Sequence, residues 1–304
     1  MKPHTRTVAA AASFAVCTMS GIFALAEDPA STDPPAGETQ AAETPPAQTS
    51  GKKPKWFSVN AYADIESAYV CRGYVWDSRP YSAQSVSAAA GTDELGTAEA
   101  TVWTMSAMSS TGHSPEMTRY AYAEVDYLLR YYYDIDLADG FKLRNGVGRQ
   151  WVTNPGYVGG HTLCDWQALQ ILQTPWVSPY WRMRRIHKPI DETYWIIGAK
   201  RSFDLCDKLV FTVDFFGDFG NRRHFSNLYG PKPSDPESSY RGGLQALNLV
   251  FRLDYRLAEH IGIFGFLGQF SLVSDDARDS VKAARGPEMR RDLTYGGVGV
   301  SVDF

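Results

Sequence analysis

The chain ends TYGGVGVSVDF, residues 294–304. Val298, Val300, Val302 and Phe304 fall on one side of an extended backbone, and Gly297, Gly299, Ser301 and Asp303 fall on the other. A strict period of two is the pattern of a β-strand with one apolar and one polar face. Such a strand can close a soluble sheet or a sheet that separates two solvents. The choice depends on whether the preceding residues repeat the pattern, and over what length.

They do repeat it. In residues 57–66, Phe57, Val59, Ala61, Ala63 and Ile65 oppose Ser58, Asn60, Tyr62, Asp64 and Glu66. In 119–133, Ala121, Ala123, Val125, Tyr127, Leu129 and Tyr131 oppose Tyr122, Glu124, Asp126, Leu128 and Arg130. In 208–219, Leu209, Phe211, Val213, Phe215 and Phe219 oppose Lys208, Thr212, Asp214 and Asp218. In 244–255, Leu247, Leu249, Phe251, Leu253 and Tyr255 oppose Asn248, Arg252 and Asp254. In 261–273, Phe264, Phe266, Phe270 and Leu272 share a face. Segments at 81–90, 98–108, 141–152, 162–173, 177–187 and 192–203 bring the total to about twelve strands, an even number. The facing of 98–108 stays open, because Ala98, Ala100 and Val102 are followed by Trp103 and Met105 on the opposite parity. Most segments run to about ten residues or more, which suits tilted strands crossing a bilayer rather than the shorter strands of soluble sheets.

Loop lengths give an independent sign. Connections at 91–96, 135–139, 174–176, 204–207 and 258–259 are short, whereas those at 109–116, 153–161, 220–243 and 274–290 are long. Short turns on one side and long loops on the other is the rule of outer-membrane barrels. The short link at 188–191 departs from it.

The physical reason for the pattern is a wall with lipid outside and water inside. Lipid requires every backbone group to be paired, so the sheet must close. Charged groups such as Glu124, Asp126, Arg130, Asp214, Arg252 and Asp254 are costly against lipid and cheap in a hydrated lumen. The competing architecture is a soluble β-sandwich or jelly roll, which also alternates but prefers shorter strands.

Residues 1–26 read as a secretory signal, with Lys2 and Arg6 before an apolar run and Ala24-Leu25-Ala26 at the cleavage site. Its removal takes two basic residues and no acid, so the net charge moves from −4 to −6. That mild acidity gives no basic field for nucleic acid. Residues 27–55 are rich in Pro, Thr, Ala and Glu and read as a disordered periplasmic lead. Residues 56–304 form the folded barrel. Cys71, Cys164 and Cys206 make no metal spacing or disulfide framework, although one bridge can form, with Cys71–Cys164 the first pair to test. The scattered histidines have no metal-ligand spacing, and no cofactor motif is present.

Two short phrases carry resemblances. Gly299, Val302 and Phe304 sit in the terminal strand where the barrel-assembly machinery reads a pattern of polar, Gly and aromatic residues; the match is partial, because Val302 replaces an aromatic. The phrase Ser67-x-Tyr69-Val70-x-Arg72-Gly73 resembles the start of the Gcw_chp family of bacterial exported proteins, whose members look like outer-membrane barrels. The resemblance implies a barrel and transport, and it carries no active-site residues over.

The expected protein is therefore an all-β chain, a closed antiparallel transmembrane barrel of about twelve strands in the bacterial outer membrane. Its partners are outer-membrane lipid, the assembly machinery and a small solute. The candidate lumen residues are Glu124, Asp126, Arg130, Arg182, Arg184, Asp214, Asp218, Arg252 and Asp254, with Arg149, Arg185 and Lys200 beside them. Positive rungs facing acidic ones across the lumen make a narrow, hydrated path for a porin-like channel. An ion-pair network that merely plugs a small barrel is the bland counterpart. A second function class is a lipid esterase. His224-Phe225-Ser226-Asn227 resembles the catalytic phrase of outer-membrane lipid esterases, in which His224 takes the Ser226 proton. A third is a structural or adhesive barrel whose long loops bind partners.

Overall fold

The computed structural model describes residues 56–108, 124–138, 140–153, 162–188, 191–229, 232, 240–284 and 290–304. The expected signal and lead (1–55), residues 119–123 of the third segment read above, and all or part of each long loop lie outside the described residues.

Alternating sequence becomes extended backbone, and extended backbone here becomes a closed ring. The strands are β1 (Phe57–Glu66), β2 (Tyr69–Cys71), β3 (Tyr74–Asp77), β4 (Tyr81–Thr92), β5 (Gly96–Ala107), β6 (Glu124–Ala138) and β7 (Phe141–Thr153). They continue with β8 (Thr162–Gln173), β9 (Ser178–Lys188), β10 (Glu192–Cys206), β11 (Leu209–Gly220), β12 (Gly243–Arg256), β13 (Ile261–Leu272) and β14 (Asp292–Asp303). Helices α1 (Arg222–Tyr229) and α2 (Asp275–Ala284) sit in the last two long connections. β1 and β4–β14 close an antiparallel barrel of twelve strands, while β2 and β3 pair only with each other. The ring closes where β1 meets β14, from Asn60 opposite Asp303 to Glu66 opposite Gly297. Val59 and Phe304 exchange both backbone hydrogen bonds at the seam, at 3.0 and 2.8 Å. Closure leaves no strand edge to be solvated, as lipid demands.

The faces follow the alternation. Exposed Val86, Val102, Val147, Ile197, Phe215, Leu253, Ile263, Leu267, Val298 and Val300 point outward. The open facing of β5 is settled by register: Trp103 pairs with inward Asp126, so Trp103 and Met105 face in and Val102 faces out. One aromatic row turns the opposite way from the lipid face expected of apolar residues. Phe264, Phe266 and Phe270 face the interior, and Ile263 and Leu267 take the outer face. The reason lies on β14. Phe264 pairs with Gly299, and a Cβ on Gly299 would come within 2.5 Å of the Phe264 ring. An inner wall of glycines needs rings laid over it to exclude voids.

No helix among the described residues is long and apolar enough to cross a membrane. The short link between β9 and β10 is real, so the single exception to alternating loop length belongs to the molecule.

Candidate functional site: a plugged lumen

The nine lumen candidates all lie at inward register positions on β6 and β9–β12. Their partners are neighbours along the wall rather than opposite numbers across the lumen. Arg130 bonds Glu99 at 3.2 Å, Arg252 bonds Asp254 on its own strand at 2.8 Å, and Arg184 bonds Asp165. Gln150 donates to Asp126 at 2.8 Å, Asn248 to Asp218 at 2.6 Å, and Tyr180 to Asp214 at 2.9 Å. The transverse pairing expected from the sequence is thus replaced by a lateral ladder. Two of the neighbouring basic residues are misplaced by the sequence reading. Arg149 and Arg185 face outward: Arg149 pairs in register with Trp166, and Arg185 adjoins inward Arg184 and Ile186. No group of His, Cys, Asp or Glu among the described residues can hold a metal ion.

Burial of the inward side chains changes steadily along the barrel axis. On β6, Glu124, Asp126 and Leu128 are 1, 2 and 7% exposed, whereas the Arg130 and Asp134 side chains are 15 and 24% exposed. On β12, Ala246, Asn248 and Val250 are 0, 2 and 7% exposed, and the Arg252 and Asp254 side chains are 14 and 31% exposed. The interior is a funnel. It opens at the short-turn end, which is the periplasmic end in this architecture, and is packed shut at the long-loop end.

What packs it shut is the β2–β3 hairpin, which enters the long-loop end of the lumen. Arg72 and Gly73 form its two-residue turn, with φ of 52° and 69°. Positive φ at both centres is what a type I′ turn requires. Gly73 is fixed by space as well as by φ, since a Cβ there would stand 2.8 Å from Gln245 and 3.0 Å from Asp218. Gln245 donates to the Gly73 carbonyl at 2.9 Å. The Arg72 guanidinium is fully buried, 3.8 Å from Glu192 and 5.6 Å over the Tyr194 ring. Tyr69 donates to Glu124 at 3.1 Å and stacks on Trp103. On the other side of the hairpin, Ala68, Val70 and Val75 pack with Phe225 of α1, Ala277 and Val281 of α2, Tyr240, and Phe270 and Leu272 of β13. Sequence reasoning missed this plug. Tyr69-Val70-Cys71 and Tyr74-Val75-Trp76 are too short to show a period.

Cys71 is buried inside the plug and Cys164 lies on the outer face of β8, so the possible bridge between them is absent and the three cysteines among the described residues are free. Burial pushes the Cys71 thiol up, well above the ordinary thiol range.

The esterase arrangement does not assemble. His224 is 1% exposed and points into the seat of the plug, with Nδ1 3.3 Å from Glu192 and Nε2 3.3 Å from the Arg72 carbonyl. Ser226 instead donates to the carbonyl of Arg222 one turn back. Two residues apart on a helix is just over half a turn, which places the imidazole and the hydroxyl on opposite faces.

No protein-family model matches the chain, and no curated protein matches it. Solved structures do. An outer-membrane channel from Pseudomonas putida F1 aligns with a TM-score of 0.52 at 9% identity, covering 86% of this chain and 100% of that one. The KdgM porin aligns with a TM-score of 0.42 at 10% identity over 81% of this chain and 99% of its own. Outer membrane phospholipase A from Escherichia coli aligns at 0.42 and 13% identity, over 80 and 92%. With the closed ring of twelve strands, the first likeness places the fold among bacterial outer-membrane barrels.

Proposed function

We propose that this outer-membrane barrel is a porin-like channel for a small solute, with a charged lumen and an outer mouth held closed by the β2–β3 hairpin. The observation that carries the reading is the burial gradient. The periplasmic half of the lumen keeps Arg130, Asp134, Arg144, Arg252 and Asp254 partly in water. A shell with no passage has no use for charged rungs in a half-open vestibule, whereas a solute path needs polar groups that bind and release. Twelve strands enclose more than the side-chain-filled interior of an eight-stranded barrel and less than a wide porin, so a single inserted hairpin is enough to close the bore. The charged ladder runs along β6–β12, and the facing wall of Gly297, Gly299, Ser301 and Ser87 carries the inward acids Asp64 and Glu66 in register beside its glycines. The Ser-x-Tyr-Val-x-Arg-Gly phrase, which resembles the start of Gcw_chp family members, builds the plug.

The protein is read as a non-enzyme, because His224 serves the plug seat and Ser226 faces away from it. Planar-bilayer recording tests the channel. The intact protein should show rare or small openings. A variant with residues 69–77 replaced by a short Gly-Ser link should conduct steadily. A link variant that folds, as judged by heat-modifiable migration, and still carries no current would remove the proposal in favour of a structural or adhesive barrel.

A further inference from the structure

The hairpin tip carries a residue that its own backbone disfavours. Arg72 holds the first centre of a two-residue turn at φ of 52°, a place that asparagine or glycine fills at less cost. What the arginine adds is a side chain that crosses the bore. The hairpin is rooted between β1 and β4, and β10 stands six places from β4 round the ring of twelve, on the opposite side. The Arg72 guanidinium nevertheless lies against β10, 3.8 Å from Glu192 and 5.6 Å over the Tyr194 ring.

The wall it reaches is acidic. The Arg72 charge acts on Glu124 and Asp126 of β6, Asp165 of β8 and Glu192 of β10. Asp218 of β11 stands beside Gly73. All five acids are no more than 3% exposed. The wall meets them with basic groups of its own: Arg184 bonds Asp165, His224 lies against Glu192, and Arg130 and Arg182 act on Asp165 from nearer the vestibule. Glu124, Asp126 and Asp218 are reached from the hairpin side.

Two acceptors there are still unused. Asp218 Oδ1 and Gln245 Oε1 are buried and accept no hydrogen bond among the described residues. Gln245 falls where the β11–β12 register slips, between Ala246 opposite Asp218 and Leu244 opposite Phe219. A bulge of this kind re-aims a side chain, and here it turns Gln245 toward the hairpin, where Nε2 donates to the Gly73 carbonyl. The far side of the bore therefore offers carboxylates, an amide oxygen and a ring face. Buried anions are costly unless a cation meets them. A guanidinium suits such a seat, because it takes carboxylates in its plane and an aromatic ring against its face.

We infer that this acidic seat on β6–β11 is a binding site for a guanidinium-bearing solute, and that Arg72 fills it as a tethered stand-in while the mouth is closed. The inference rests on the channel proposed above and gives the chemical class of its cargo. A free guanidinium compound competes with Arg72 for the same carboxylates. When it displaces Arg72, the hairpin loses its polar anchor and the cation already stands at the constriction. The tether keeps the local concentration of Arg72 high, so a competitor binds weakly until the arginine is gone.

The probe is methylguanidinium chloride. Its binding to the full-length barrel in detergent is measured by titration calorimetry, which needs no current. R72N keeps a residue suited to positive φ and removes the cation, so it should bind methylguanidinium at least about tenfold more tightly than the parent. Adding D218N should weaken that binding again. In planar bilayers, methylguanidinium should raise the open probability of the parent, and R72N should open without it. A folded R72N that binds no better than the parent overturns the seat. An equal gain with tetramethylammonium chloride overturns it in favour of a general well for positive charge. Binding as expected, with no current from the parent, R72N or the Gly-Ser link variant, would keep the seat and remove the channel. A link variant that conducts but whose reversal potential shows no preference for methylguanidinium over chloride would keep the channel and remove the seat.

Discussion

Glu192 is the residue on which the closed end turns. It lies at the first position of β10, is fully buried, and touches three groups: Arg72 at 3.8 Å, His224 at 3.3 Å and Asn227 at 2.8 Å. Removing a carboxylate from such a site takes one counter-charge from a buried guanidinium that also acts on Glu124, Asp126 and Asp165; breaking a buried pair typically costs about 3–5 kcal/mol. Glu192→Ala should lower stability by roughly that amount, read as the urea midpoint of the vesicle-bound barrel. Because the strain falls on the plug rather than on the strand ladders, the variant should also open more often in planar bilayers. A variant as stable and as closed as the parent contradicts the role given to Glu192. At this scale the sequence was partly legible. The inward acids and arginines follow from parity on well-alternating strands such as β6, β11 and β12. Glu192 does not, because Glu192-Thr193-Tyr194 places polar and amphipathic residues on both parities.

The hairpin is the element that distinguishes this barrel from an open tube. Its apolar side is held by α1, α2 and Tyr240, and its polar tip by Glu192, Gln245 and the Asp218 wall. Such a mixed seat can release in one piece, since each contact is noncovalent and the connecting residues 67–68 and 78–80 are short. Cysteine chemistry reports the release. Cys71 is buried in the plug with its thiol pushed up, whereas Cys206 is exposed at the turn after β10. A water-soluble maleimide should label Cys206 readily and spare Cys71. Conditions or substitutions that raise conductance should raise Cys71 labelling in parallel. Conductance that rises while Cys71 stays unlabelled would show that the hairpin is not the gate. Gly73→Ala, which sets a Cβ against Gln245 and demands positive φ of alanine, should behave as such an opening substitution.

The whole molecule rests on a seam between its first and last strands. Phe304 supplies both backbone hydrogen bonds to Val59 and the terminal ring, which stacks on His260 at 5.5 Å. It is also the last residue of the phrase attributed to assembly recognition. Deleting Phe304 should reduce the folded, heat-modifiable fraction in outer membranes while barely changing the spectrum of barrel refolded in detergent. Equal yield in membranes would detach Phe304 from assembly. Strand number, strand length and, on the well-alternating strands other than β13, which face meets lipid were readable in advance, because a wall between oil and water repeats one constraint at every second residue and local sequence records it. Two decisions lay beyond that record. The side on which Arg149 and Arg185 emerge is hidden in Arg182-Met183-Arg184-Arg185 and Gly148-Arg149-Gln150, where both parities are polar or bare. The closing of the outer mouth depends on Glu124, Glu192, Asp218 and Gln245 converging on Arg72 and its neighbours from strands far apart in the chain. Alternation reports the solvent on each side of a strand; only the closed ring decides what else fills the space inside it.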